Sequence, residues 1–107
     1  QIRSSAASDV YKRQKFDYFL RVKGLSMKDA GIMEDDLIAV HKTSEVRNGD
    51  IVIARYDDEV TVKFFEKLSD KKIRLIPANS DFKNLEINLE ETELHIEGKS
   101  VGLIREN

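Results

Sequence analysis

A chain of 107 residues with 18 basic and 20 acidic side chains carries a net charge of −2 and offers no basic stripe with which to grip a nucleic-acid backbone by itself. It contains no cysteine, which excludes disulfides, thiolate catalysis and cysteine-built zinc sites. At 40% apolar and 36% charged residues the composition is that of one small globular domain. No apolar run nears the ~20 residues that span a bilayer, so a cytoplasmic protein without membrane contact is expected.

The opening "QIRSSAASDVYKRQ" is polar and aperiodic, and "SDVYKRQ" resembles the translation of a transposase end used to build sequencing libraries. Residues 1–14 are therefore expected to be a non-native or disordered tail, with the folded domain over 15–107. In "FDYFLRVK", Phe16, Tyr18, Leu20 and Val22 fall on one face, the pattern of a half-buried strand. "SMKDAGI" is the only stretch able to form more than a turn of helix. "LIAVH" and "IVIARY" are β-branched runs suited to buried strands, and the polar "DDE" turns the second into "VTVKFFE" as a hairpin. "IRLIP", "LEINL", "ELHIE" and "SVGLIR" continue the series, punctuated by Gly49, Pro77, "ANSD" and Gly98. The expected fold is all-β, a compact and partly closed barrel or sandwich of short strands.

Two residue types in this pattern bear on chemistry. Ser26 and Asp29 fit the S-x-x-[DE] box in which a serine oxygen caps a helix. The same serine, with Gly24 upstream and free backbone N–H groups beside it, also has what a nucleophile needs. A serine nucleophile requires a base. His41 and His95 read as ordinary strand residues. Lys63, set among Val60, Val62, Phe64 and Phe65, is either a lysine reaching out to water or a buried amine. Only the buried amine can act as a base, since bringing a lysine near neutrality costs about 4 kcal/mol of differential solvation. Asp35-Asp36, Asp57-Asp58 and Glu90-Glu91 fall in predicted turns and read as solvated charges. No metal-ligand spacing or phosphate-binding loop occurs, so no metal and no cofactor are expected.

The ordered set "YFLRVKGLSMKDAGIMEDDLIAVHKTSEVRNGDIVIARYDDEVTVKFFEK", followed by "LIPANSDF" and "IEGKSVGLIR", resembles the catalytic domain of the LexA repressor family of self-cleaving serine peptidases. The resemblance runs from about Phe16 to Arg105, and G-x-S-M, the R-N-G-D turn and T-V-K appear in the family's order. It implies a LexA/signal-peptidase-like fold, with Ser26 as nucleophile and Lys63, 37 residues on, as general base. It also implies an oxyanion held by the Ser26 amide with support from Leu25 and Met27, and an amine oriented by Thr61. Asp35 stands where the family often has glycine, in a left-handed turn that aspartate tolerates.

Family function follows as expectation. Such proteins repress the genes of the SOS DNA-damage response and form homodimers, for which "SVGLIR" is an edge strand able to pair. They cut their own Ala-Gly hinge when stimulated by RecA filaments on single-stranded DNA. Ala30-Gly31, the only such pair here, falls inside the catalytic motif, so the substrate is expected to be a hinge peptide of the family outside this chain. DNA is expected to be met only through an N-terminal helix-turn-helix domain that is likewise outside it. The alternatives are a non-catalytic dimerisation or RecA-interaction module and a UmuD-like mutagenesis protein.

Overall fold

The computed structural model describes residues 16–106, so the tail expected at 1–14 lies outside the described residues. The strands are β1 (Tyr18–Arg21), β2 (Leu37–Lys42), β3 (Ile51–Tyr56), β4 (Glu59–Ser69), β5 (Lys72–Ile76), β6 (Leu85–Asn88) and β7 (His95–Ile104). They form one antiparallel seven-stranded sheet in the order β1-β2-β7-β3-β4-β5-β6. The all-β expectation is borne out.

Local sequence explains each element. Phe16, Tyr18, Leu20 and Val22 turn inward while Asp17, Phe19 and Arg21 stay exposed, the period-two pattern of a strand with one wet face. β3 behaves differently. Ile53 joins a core of Val22, Met27, Ile32, Ile38 and Val40, whereas its neighbours Val52 and Ala54 join a second core of Phe65, Ile73, Leu75 and Ile87. A strand covered on both faces reads as a continuous apolar run, as "IVIA" does. The hairpin to β4 turns on Asp57 and Asp58 alone, with φ of 49° and 63°. That is the type I′ geometry matching the twist of the flanking strands. Asp35 likewise takes φ 72°, the left-handed turn expected of it.

Three expectations are corrected. "SMKDAGI" forms a single 3₁₀ turn, Lys28–Ala30, which ends at Gly31 with φ 81°. "ELHIE" and "SVGLIR" are not two strands but one, and Gly98 lies within it. A Cβ at Gly98 would stand 2.5 Å from the His41 carbonyl oxygen and 2.8 Å from Val40 Cγ1, so this glycine permits close strand approach and makes no turn. Nor is β7 an edge strand, since it lies between β2 and β3. Within 100–102, Ser100 and Gly102 pair β2 and Val101 is the extra residue of a bulge, and none of the three pairs β3, which meets only His95–Lys99.

Candidate active site

The stretch "GLSMKD" leaves β1 through Gly24, whose φ of 78° a side chain would strain. The Lys28 N–H donates to the Leu25 carbonyl at 3.2 Å, closing a turn with Ser26 and Met27 at its centre. Met27, 2% exposed, drives its side chain into the first core and so pins the turn. The loop after β5 holds the turn from the other side. The Ala78 N–H donates to the Ser26 carbonyl at 2.8 Å, and the Asp29 N–H donates to the Ala78 carbonyl at 2.7 Å. Asn79 Nδ2 donates to the Leu25 carbonyl, also at 2.8 Å.

Lys63 sits in β4 opposite Val52, with only 7% of its surface exposed. Its Nζ lies 3.1 Å from Ser26 Oγ and donates to Thr61 Oγ1. Burial pushes the amine below its ordinary value of 10.5, because a charge is poorly solvated there. The lysine therefore does not reach out to water. Ser26 does not cap the 3₁₀ turn either: Met27 holds that position, with no side-chain hydrogen bond to the turn. A neutral amine at this distance can take a proton from the serine hydroxyl, and a protonated one can only donate to it.

Of the five residues singled out from sequence, Ser26, Lys63 and Thr61 meet through their side chains. Leu25 and Met27 flank the serine by different means. Leu25 exposes its side chain and offers its carbonyl as an anchor, while Met27 is the buried peg. The histidines belong elsewhere: His41 Nδ1 lies 3.4 Å from Asp17 Oδ2, and His95 bonds Glu93. Among the described residues no three His, Asp or Glu side chains are grouped to hold a metal ion. No helix among them is long and apolar enough to cross a membrane.

A cleft of about 260 Å³ opens beside the serine between residues 20–23 and residues 60–62. β4 pairs β3 over Glu59–Phe64 but meets β5 only from Phe64 onward. Residues 59–63 thus present a strand edge toward this cleft with no second partner among the described residues, which suits an extended peptide.

Asp36 corrects the reading of its pair as solvated charge. Its carboxylate is 2% exposed, accepts the Met33 N–H at 2.7 Å, and takes Arg105 Nε and Nη2 on its two oxygens, each at 2.8 Å. Sequence reasoning also missed Asn79. "LIPANSDF" marks its neighbourhood, but no local cue ties it to a carbonyl 54 positions earlier.

The Peptidase S24-like family model matches residues 2–101. Among curated relatives, the LexA repressor of Marinomonas sp. (strain MWYL1) is 60% identical over 90 residues, 84% of this chain and 43% of that protein. That of Hahella chejuensis (strain KCTC 2396) is 55% identical over 89 residues, 83% of this chain and 44% of the relative. That of Cellvibrio japonicus (strain Ueda107) is 54% identical over 90 residues, 83% and 45% of the two chains. The chain spans less than half the length of these relatives.

Proposed function

This chain belongs to the Peptidase S24-like family, and from that premise we propose that it is the self-cleaving serine peptidase part of a LexA-type repressor. Ser26 is the nucleophile and Lys63 the general base. The observation that carries this reading is the 3.1 Å approach of a buried lysine nitrogen to a serine oxygen. A peptide laid along the open edge of β4 brings its carbonyl carbon to Ser26 Oγ. The hydroxyl proton passes to neutral Lys63 as the O–C bond forms, and the carbonyl oxygen takes up negative charge near the Ser26 amide. When the C–N bond breaks, Lys63 returns the proton to the departing amine. Water, deprotonated by the same lysine, then cleaves the acyl ester and restores the hydroxyl. Thr61 orients the amine through its hydroxyl.

In this reading the substrate is an Ala-Gly hinge, RecA filaments on single-stranded DNA prompt the cut, and the outcome is derepression of SOS genes in the cytoplasm. The names of the relatives support the repressor role. Homodimerisation uses the open side of β7 at residues 100–102.

The test is cleavage of a supplied hinge peptide at alkaline pH. Ser26→Ala and Lys63→Ala each lower the rate by about 10³-fold or more, while His41→Ala cleaves like the unaltered chain. The rate climbs with pH as Lys63 loses its proton and levels off below 10.5. Full activity in Lys63→Ala, or a flat profile between about pH 6 and 10, overturns the assigned base. Absence of any cleavage by the unaltered chain favours a non-catalytic interaction module.

A further inference from the structure

We propose that Asn79 is a positioning residue for this reaction: by holding the Leu25 carbonyl, it aims the Ser26 amide at the point where the substrate oxygen becomes negative. The inference rests on the peptidase reading above and adds a residue to it. A peptide bond is planar and trans, so the Leu25 carbonyl and the Ser26 N–H point in opposite directions along one rigid unit. Whatever grips the carbonyl also sets the amide. Two donors grip it, Asn79 Nδ2 at 2.8 Å and the Lys28 N–H at 3.2 Å. The Ser26 N–H itself has no acceptor among the described residues.

Asn79 is built for a single orientation. It is 7% exposed, and its Oδ1 accepts the Asp81 N–H at 2.9 Å. With the oxygen end so occupied, the nitrogen end must face Leu25. A buried amide adds nothing to packing that an apolar side chain of its size would not, and it is tolerated only because both ends are bonded. Among the described residues Asn79 makes no bond to Lys63 or to the Ser26 side chain. Its loss therefore leaves both bonds of the Lys63 amine in place and, beyond freeing the Asp81 N–H, acts on the site through the Leu25–Ser26 peptide.

The experiment measures hinge-peptide cleavage by Asn79→Asp and Asn79→Ala across pH. Asn79→Asp keeps the acceptor for Asp81 but, when ionised, has no hydrogen to give Leu25. Removing an oxyanion donor outright costs about 10²–10³ in kcat, so misaiming one is expected to lower kcat about ten- to a hundredfold. KM and the pH at which the rate is half-maximal stay unchanged. A folded variant with unaltered kcat, or one whose loss lies in KM or in a displaced pH midpoint, overturns the assignment.

A second measurement needs no variant. A peptide aldehyde adds the Ser26 hydroxyl across its carbonyl to give a hemiacetal, and the Ser26 amide proton is expected to move downfield in the NMR spectrum of the adduct. An amide that does not respond sinks the proposal even if neither variant folds. If the unaltered chain neither cleaves the peptide nor forms the adduct, the peptidase reading itself fails. If it does both and the variants match it, only the role of Asn79 is lost.

Discussion

Lys63 is a liability to the fold at neutral pH. Burial holds its amine below 10.5, so the unfolded chain binds that proton more tightly than the folded chain does. Stability therefore rises with pH between the lowered folded value and 10.5, and the cost of the buried charge is fully present below that window. Lys63→Met, with an apolar side chain of similar length, removes the cost. It is expected to abolish cleavage and yet raise stability at pH 7 by about 1–2 kcal/mol. Thermal unfolding followed by circular dichroism checks this, with the advantage of the variant shrinking as pH climbs toward 10.5. A variant less stable than the parent at pH 7 would mean that the bonds to Ser26 and Thr61 outweigh desolvation.

Strand β7 shows where sequence reading works and where it stops. Alternation in β1 and the apolar runs of β2 and β3 are local signals, and each became the strand they indicate. Gly98 gives the same local signal as a turn glycine, but its cause is the backbone of β2 at His41, 57 positions away in sequence and 2.5 Å from where a Cβ would be. The strand consequently runs unbroken from His95 to Ile104. The site divides in the same way. Motif order brought Ser26 and Lys63 together, which spacing alone could not do, whereas the bonds of Asn79 and Arg105 span 54 and 69 positions and leave no periodic trace. Gly98→Ala must displace a carbonyl or push β2 and β7 apart. It is expected to lower stability by about 2–4 kcal/mol in chemical denaturation. An Ala variant within about 0.5 kcal/mol of the parent would show that the two strands have room to give.

The β3–β4 hairpin carries a core on each face, so neither half of the sheet can loosen without exposing the other. The site lies at one margin of this arrangement, and the end of the chain reaches back to hold it. Arg105, just beyond β7, grips Asp36 with two bonds and the Gly31 carbonyl with a third at 2.8 Å. It thus fastens the chain's end to the loop that follows Ser26. The Arg105 guanidinium, aided by the Met33 N–H, keeps the Asp36 carboxyl below its ordinary 3.8. Because the unfolded chain takes up that proton first, the contribution of the pair is complete above about pH 4 and fades as pH falls through the lowered folded value. Glu97, held low by Arg55, and Asp17, held low by the Lys42 N–H, act in the same direction. Asp36→Asn keeps an oxygen for Met33 but loses the charge that Arg105 seeks. It is expected to cost about 2 kcal/mol at pH 7, and the gap from the parent should close as pH is lowered toward 2 in a series of melting curves. A gap that stays constant with pH would mean that the loss comes from packing and not from the ion pair. Slower hinge-peptide cleavage in the same variant is expected as well, because the loop that follows Ser26 then loses the two bonds by which Arg105 holds Asp36.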